Sequence, residues 1–448
     1  MKRTVTLLAA LLCAAAAYAQ ASAQLPSSRQ SSAPLPCGHL APALPAFRAD
    51  TLSIVSCGAV PDGVTLNTAA INGAINDLAD RGGGTVLIPA GIWLTGPIIM
   101  RSGINLHAER GAIVMFSTDF SLYPPDGKGK RQTPVYGEKL HDIAFTGEGV
   151  YDGNGQAWRP VKKSKYTASE WKGFLAKGFT LNEKGDIAWP PGTSEKNDDR
   201  PYLLVLKKCR QVLFDGPTFR NSPKFVLNPQ DCHGMTIRNL FVFNEWNAQN
   251  GDGIDISGGS DILIERCTVS VGDDAICMKS SGPRTDGPFL HDVLIRDCTV
   301  YRGHGGFAIG SNTDGGIADI TVQNCSFIGT DTGLRFKSAR DRGGVVENIR
   351  IDGIRMKDIV GEAIVFETGY EDVTASGVRK NGTNAKIPRF RNFRISNVIC
   401  TGAGRSLRIE GLPEAPVENI FLENVNITAA EPAVEINCRN IVKTASAL

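Results

Sequence analysis

The chain has 448 residues, 42% of them hydrophobic and 21% charged, with a formal net charge of +2. That is enough apolar material for a large core, and too small a basic excess for a nucleic-acid-binding stripe. The 49 glycines and an aromatic content of only 7% point to a fold with many tight turns rather than a large aromatic core.

Lys2 and Arg3 precede an apolar run over residues 5–17. Small-residue sites follow at Ala17-Tyr18-Ala19 and Ala21-Ser22-Ala23. This is the pattern of a secretory signal, and the run is too short to span a bilayer. The mature protein is therefore expected to be secreted or periplasmic, without membrane insertion. Loss of residues 1–23 lowers the formal net charge from +2 to 0. Attraction for a polyanion then has to come from a local cluster. Of the 11 cysteines, Cys13 falls in the signal, and no pair has the C-x-x-C spacing of a zinc site. Cys37 and Cys57 are candidates for a staple at the N-terminal edge.

Residues 24–50, rich in Ser, Pro, Gln and Ala, read as a linker or lead-in. Residues 65–80 show helical periodicity, with Ala70, Ile71, Ala74, Ile75 and Leu78 on one face. Asn67 is the expected N-cap, and Gly82-Gly83-Gly84 the stop. Beyond this point helical signals nearly vanish and a repeat begins. In register, its units start at Val212, Met235, Ile262, Val293, Ile320, Ile349, Phe393 and Ile420. Ile104 and Ile143 start weaker copies.

Apolar residues alternate within each unit, as in a strand with one buried face. The fifth position is Gly216, Asn239, Arg266, Asp297, Asn324, Gly353, Asn397 and Asn424. Most of these tolerate a left-handed backbone, so a sharp bend is expected there in every unit. A second strand follows the bend. A third precedes the next unit, in the runs GIDIS, AICMK, FAIGS, LRFKS, AIVFE, SLRIE and AVEIN. Three short strands per repeat describe one coil of a parallel β-helix, stacked at about 4.8 Å. Its open end needs a cover, which helix 67–80 is expected to supply. Cys267, Cys298 and Cys325 share one inward position, where a buried thiol ladder is expected rather than disulfides.

The register also aligns polar groups. Asp252 and Asp274 fall in one column, and Asp273 and His304 in the column beside it. Arg335 and Lys337 take outward positions on the strand of the following coil. Singly, each has a bland reading: Asp beside Gly usually forms turns, and outward cations are usually solvated. Jointly they suit glycoside cleavage. One protonated carboxyl protonates the leaving oxygen, and an ionised carboxylate activates water or attacks. Three crowded carboxylates raise at least one pKa. An Arg and a Lys can hold a substrate carboxylate. Asp255 also points outward and reads as a bystander. Lys279 shares the register of Lys337 and is a candidate substrate contact.

These blocks, NGD (250–252), GDD (272–274), GHG (303–305) and RFK (335–337), resemble the signature of glycoside hydrolase family 28, the polygalacturonase family. The resemblance runs from about Ser53 to the C-terminus. It departs at Gly251, where the family often has Thr. It implies a right-handed parallel β-helix, a pectin-lyase-like solenoid, acting as a monomer on a galacturonan such as pectin. It implies hydrolysis of α-1,4-galacturonosidic bonds with inversion, and neither metal nor cofactor. By resemblance Asp273 is the general acid, and Asp252 and Asp274 activate the attacking water. His304 helps set the protonation of the group. Arg335 and Lys337, with Asn250, bind substrate. The intact GHG block favours polygalacturonase over the rhamnogalacturonan-cleaving branch.

Two insertions interrupt the repeat. Residues 159–200 carry Lys162, Lys163, Lys165, Trp171, Lys172 and Trp189. Residues 368–390 carry Arg379, Lys380 and Lys386. Such loops can wall off one end of a groove and hold a chain terminus, so exo cleavage is favoured over endo. The competing readings are a xylogalacturonan or rhamnogalacturonan hydrolase, a calcium-dependent pectate lyase, and a non-catalytic carbohydrate-binding β-helix.

Overall fold

The repeat register is the register of the fold. In the computed structural model, Val212 pairs with Met235, Met235 with Ile262, Ile262 with Val293, and Val293 with Ile320. Ile320 pairs with Ile349, Ile349 with Phe393, and Phe393 with Ile420. The weaker copies at Ile104 and Ile143 join the same column. The structure describes residues 40–125, 129–196, 198–282, 286–340, 342–370 and 386–448. Every pairing in its 29-stranded sheet is parallel, and the chain winds as the expected β-helix. One continuous apolar core runs up the inside, from Ile54 to Ile427.

The bends explain how the coil closes. All eight fifth-position residues have positive φ, from 51° at Arg266 to 99° at Gly216. Arg266 is the one without an obvious excuse, since a left-handed backbone costs a side-chain-bearing residue about 1–2 kcal/mol. Its guanidinium donates to Asn239 Oδ1 at 3.0 Å and pairs with Glu265 at 2.7 Å, which offsets part of that cost. Asn and Asp at this corner also bond up the stack, as Asn424 Nδ2 does to Asn397 Oδ1 at 2.8 Å.

The capping helix α1 spans Thr68–Asp80 and buries Ile71, Ala74, Ile75 and Leu78 against the first coils. Asn67 stands at the N-cap position but does not cap. Its backbone there has φ −98° and ψ 8° instead of the extended form a capping side chain needs. Its buried amide instead bonds Val60, Thr65 and Leu94, tying the helix to the loop beneath. Gly82 and Gly83, both at positive φ, end the helix as expected. The predicted signal and Cys37 lie outside the described residues. The last part of the lead-in lies on the coil, where Ala46 N donates to Asp142 Oδ1 at 3.0 Å.

Cys267, Cys298 and Cys325 are free and buried, each thiol donating to a backbone carbonyl two residues before it. Cys57 is also a free thiol.

The insertion at 159–200 is a small folded unit rather than a bare loop. It contains helix α2 (Ala168–Ala176), started by a Thr167/Glu170 capping box, and a three-stranded antiparallel sheet. Trp171 and Trp189 belong to the insertion that the sequence offers as a groove wall, but neither faces a groove. Trp171 instead forms the insertion's own core with Val161 and Ala188, and Trp189 is buried under Arg200. Of the second insertion, residues 371–385, with Arg379 and Lys380, lie outside the described residues. Lys386 pairs with Asp314 at 3.0 Å.

Candidate active site

Four successive coils bring the polar columns together. Strands β1 (Ile254–Glu265), β2 (Ile276–Lys279), β3 (Gly305–Ile309) and β4 (Thr332–Lys337) stack in register. Ile254, Ile276, Phe307 and Leu334 point into the core, so their alternate neighbours point out. The turns before these strands carry Asp252, Asp273, Asp274 and His304. Oxygens of Asp252, Asp273 and Asp274 come within 4.8 Å of one another.

Each carboxylate has a different partner. Asp274 is buried, and accepts from Arg335 Nη1 at 2.9 Å and Lys337 Nζ at 2.7 Å. Burial pushes its carboxyl up, but the charges of Lys337 and Arg335 outweigh that and hold it well below the usual carboxylate range. Asp252 is buried beside Lys279 Nζ at 3.0 Å. There burial, helped by the neighbouring carboxylates, prevails over the lysine and raises its carboxyl well above the usual range. Asp273 is the most open of the three. Its Oδ1 lies 3.2 Å from His304 Nδ1 and accepts from the Asp274 backbone N–H at 3.0 Å. Burial raises Asp273 too, yet the bond to His304 leaves it below its ordinary value. The same bond raises His304 above its ordinary value. Of the three carboxyls Asp252 therefore has the highest proton affinity, and Asp273 and His304 form a close pair at the surface of the site.

Lys279 reaches the cluster as the register suggested, but it serves protein carboxylates. Besides Asp252 it contacts Asp255, which is fully buried and also accepts from Asn228 Nδ2 at 3.2 Å. Asp255 is therefore no bystander: it and Asp252 together surround one ammonium. Asn250 sits in the turn at φ 53°, and its Oδ1 accepts from Arg200 Nη2 at 3.1 Å. Arg200 is itself buried and paired with Asp198 at 2.7 Å. Asn250 thus anchors the insertion at the site.

Two groups escaped the sequence reading. Asp331 lies 3.6 Å from His304 Nε2. It falls in the column of Asp273 and His304, because Gly305 pairs with Thr332. The register contained that signal. Tyr370 lies under both Arg335 and Lys337, its ring centre 5.7 and 5.2 Å from the cations. It comes from the base of an insertion, where no repeat marks it.

The crowding of Asp252, Asp273 and Asp274 resembles a cation site, as does that of Asp252, Asp255 and Cys277 beside it. Calcium takes about 6–8 oxygen ligands. Here Lys279, Arg335 and Lys337 already occupy the inner carboxylate oxygens. Four carboxylates, one of them with a raised proton affinity, already face three fixed cations and a His304 held above its ordinary pKa, which leaves no net negative charge to hold a divalent ion. The donor set fits acid–base chemistry better than it fits a divalent ion.

The family model for glycosyl hydrolases family 28 matches residues 161–447. An exo-poly-alpha-D-galacturonosidase of Dickeya chrysanthemi is 27% identical over 85% of this chain and 68% of its own. An endo-polygalacturonase of Pectobacterium carotovorum is 25% identical over 84% of this chain and 87% of its own. Among solved structures, an exopolygalacturonase from Thermotoga maritima superposes with a TM-score of 0.73 at 26% identity, covering 90% of this chain and 94% of that one. The four motif blocks that converge on the coil face all lie inside the matched region, and the chain belongs to glycosyl hydrolase family 28.

Proposed function

We propose that the protein hydrolyses α-1,4-galacturonosidic bonds of polygalacturonan or pectin, by acid–base catalysis with inversion and from a chain end. The observation that carries this reading is the convergence of Asp252, Asp273 and Asp274 beside Arg335 and Lys337. Asp273, the most exposed carboxyl, gives a proton to the leaving glycosidic oxygen. Water attacks the anomeric carbon from the opposite face. Asp252 takes the proton that water loses, while Asp274, kept ionised by its two cations, orients the water. The carboxylates are close enough for one water to return the proton from Asp252 to Asp273. Catalysis needs the proton on Asp273 and Asp252 ionised before cleavage, and this relay resets both groups. Arg335 and Lys337 share their charge between Asp274 and the substrate carboxylate. A chain working on a cell-wall polymer fits export through the predicted signal.

The decisive experiment is the product pattern on polygalacturonic acid in the presence of a chelator. Monomers or dimers from the first minutes, undiminished by chelator, are expected. A ladder of oligomers keeps the hydrolase and gives endo action. Activity lost with chelator, or products absorbing in the near ultraviolet, marks a lyase.

Stereochemistry supplies a second test. Inverting carboxyl pairs usually stand about 6.5–9.5 Å apart and retaining pairs about 5–5.5 Å. The closest oxygens here, within 4.8 Å, fall below the usual inverting range. Inversion is expected nonetheless, because Asp252 and Asp274 are each held by lysine or arginine rather than bared for attack on carbon. Proton NMR of the first product should show the β-anomer; an initial α-anomer means a covalent intermediate.

A further inference from the structure

The insertion at 159–200 is fastened to one turn, residues 245–250, that leads directly into Asp252. Arg159 pairs with Glu245, and Tyr166 with Asn247. Arg200 donates to Gln249 O at 3.0 Å and to Asn250 Oδ1 at 3.1 Å. Both arginines are almost fully buried, so the junction is built like a core and not like a loose surface contact. A loop held this firmly has a defined position beside the turn that carries Asp252.

At that junction two side chains are left open. Trp246 is 49% exposed, unusual for so large an apolar group. The Lys165 ammonium lies 5.4 Å from the Trp246 ring centre and makes only a 3.4 Å contact with Trp246 O. It has no ion-pair partner among the described residues. Its contact with Trp246, in the turn that leads to Asp252, puts it at the edge of the site, and the charges of Asp273 and Asp331 act on it there, against burial and Lys162. An aromatic face stacks on the apolar C–H face of a sugar, and a poorly paired ammonium takes a carboxylate. A uronic acid presents both chemistries in one residue; a neutral sugar presents only the first.

We propose that Lys165 and Trp246 form a subsite for one galacturonate unit bound beside the cleaved bond, the ammonium holding its carboxylate and the indole its ring. The insertion then selects a charged polymer from the wall opposite Arg335 and Lys337, and narrows the groove as exo action requires. This rests on the galacturonan-hydrolase reading above.

The test is steady-state kinetics on trigalacturonate and polygalacturonate with Lys165→Ala, Lys165→Arg and Trp246→Ala. Lys165→Ala should raise KM about tenfold, the worth of one charged hydrogen bond, with kcat within about twofold. Lys165→Arg should recover most of that loss, and Trp246→Ala should raise KM similarly. If wild type cleaves galacturonan and KM of Lys165→Ala stays within about twofold, the subsite is wrong and the hydrolase stands. A fall in kcat at unchanged KM also overturns the subsite, placing the role of Lys165 in the field on Asp273. If wild type cleaves no galacturonan, the functional reading fails and this one with it.

Discussion

Asp273→Asn is expected to lower kcat on polygalacturonate by about a thousandfold or more, with KM changed little, as loss of a general acid does. Asparagine matches the shape of the side chain and can still accept from the Asp274 backbone N–H, now 3.0 Å from Oδ1. What it cannot do is give up a proton. The measurement becomes specific with a leaving group that needs none. On p-nitrophenyl α-galacturonide the Asn variant should regain much of its rate, because nitrophenolate departs without protonation. Asp252→Asn should fail on both substrates, since the water it activates is needed whatever departs. The contrast matters because the resting proton affinities favour the other assignment: Asp252 is raised and Asp273 lowered. Substrate binding shifts them. A sugar laid over Asp273 removes water from the most open of the three carboxyls, and the desolvation that already pushes it up grows. If Asp252→Asn is the variant rescued by the activated leaving group, the acid and base exchange places.

The sequence reading succeeded where the fold repeats and faltered where it does not. Alternating apolar residues and a bend at one position gave every strand register from Val212 to Ile420, because in a solenoid each coil must bury the same face against its neighbour. That register placed Asp252, Asp273, Asp274, His304, Arg335 and Lys337 on one face before any coordinates. It also held a second left-handed column that went unread. Gln211, Gly234, Asp261, Asp292, Asp319, Asn348, Asn392 and Asn419 each stand just before a unit and each have positive φ. Gly, Asn or Asp fills all but one of these positions, as clear a signal as the first. Asn67 misled because a good capping residue at a helix start says nothing about its backbone angles. The insertion misled for another reason. Its tryptophans carry no sign of burial in the sequence, and only packing separates buried Trp171 and Trp189 from Trp246, exposed in the neighbouring turn. The Thr167-x-x-Glu170 box was a legible helix start in a stretch treated as loop. The commitment of Lys279 to Asp252 and Asp255 was not legible at all, since an outward lysine has the same register whether it meets substrate or protein.

Lys337→Met should also be strongly damaging, and its signature is in pH. Lys337 Nζ sits 2.7 Å from Asp274 Oδ2 in a nearly closed site, and is the leading charge holding that carboxyl down against burial. Asp274 must be ionised to orient water, so its contribution is present above its pKa and lost as pH falls through it. In the wild type that pKa lies below the ordinary carboxylate range, and this group imposes no acid limb above about pH 4. With Lys337 gone, burial raises it and the acid limb of kcat/KM moves up. At pH 4–5 the loss should reach about a hundredfold, exceeding the loss at pH 7, where the main deficit is a higher KM from a substrate carboxylate with one cation fewer. Stability gives an independent check. A carboxylate with a depressed folded pKa stabilises the protein above its unfolded pKa of about 3.9, and that share is lost as pH falls. The variant buries Asp274 with Arg335 alone, which should cost somewhat less than the roughly 3–5 kcal/mol typical of a broken buried pair. Protonation removes the uncompensated charge, so the Tm gap between wild type and variant should narrow as pH falls toward 4. A gap that stays constant across that range would mean that Lys337 contributes packing alone, and the ionised state of Asp274 would then have to come from Arg335.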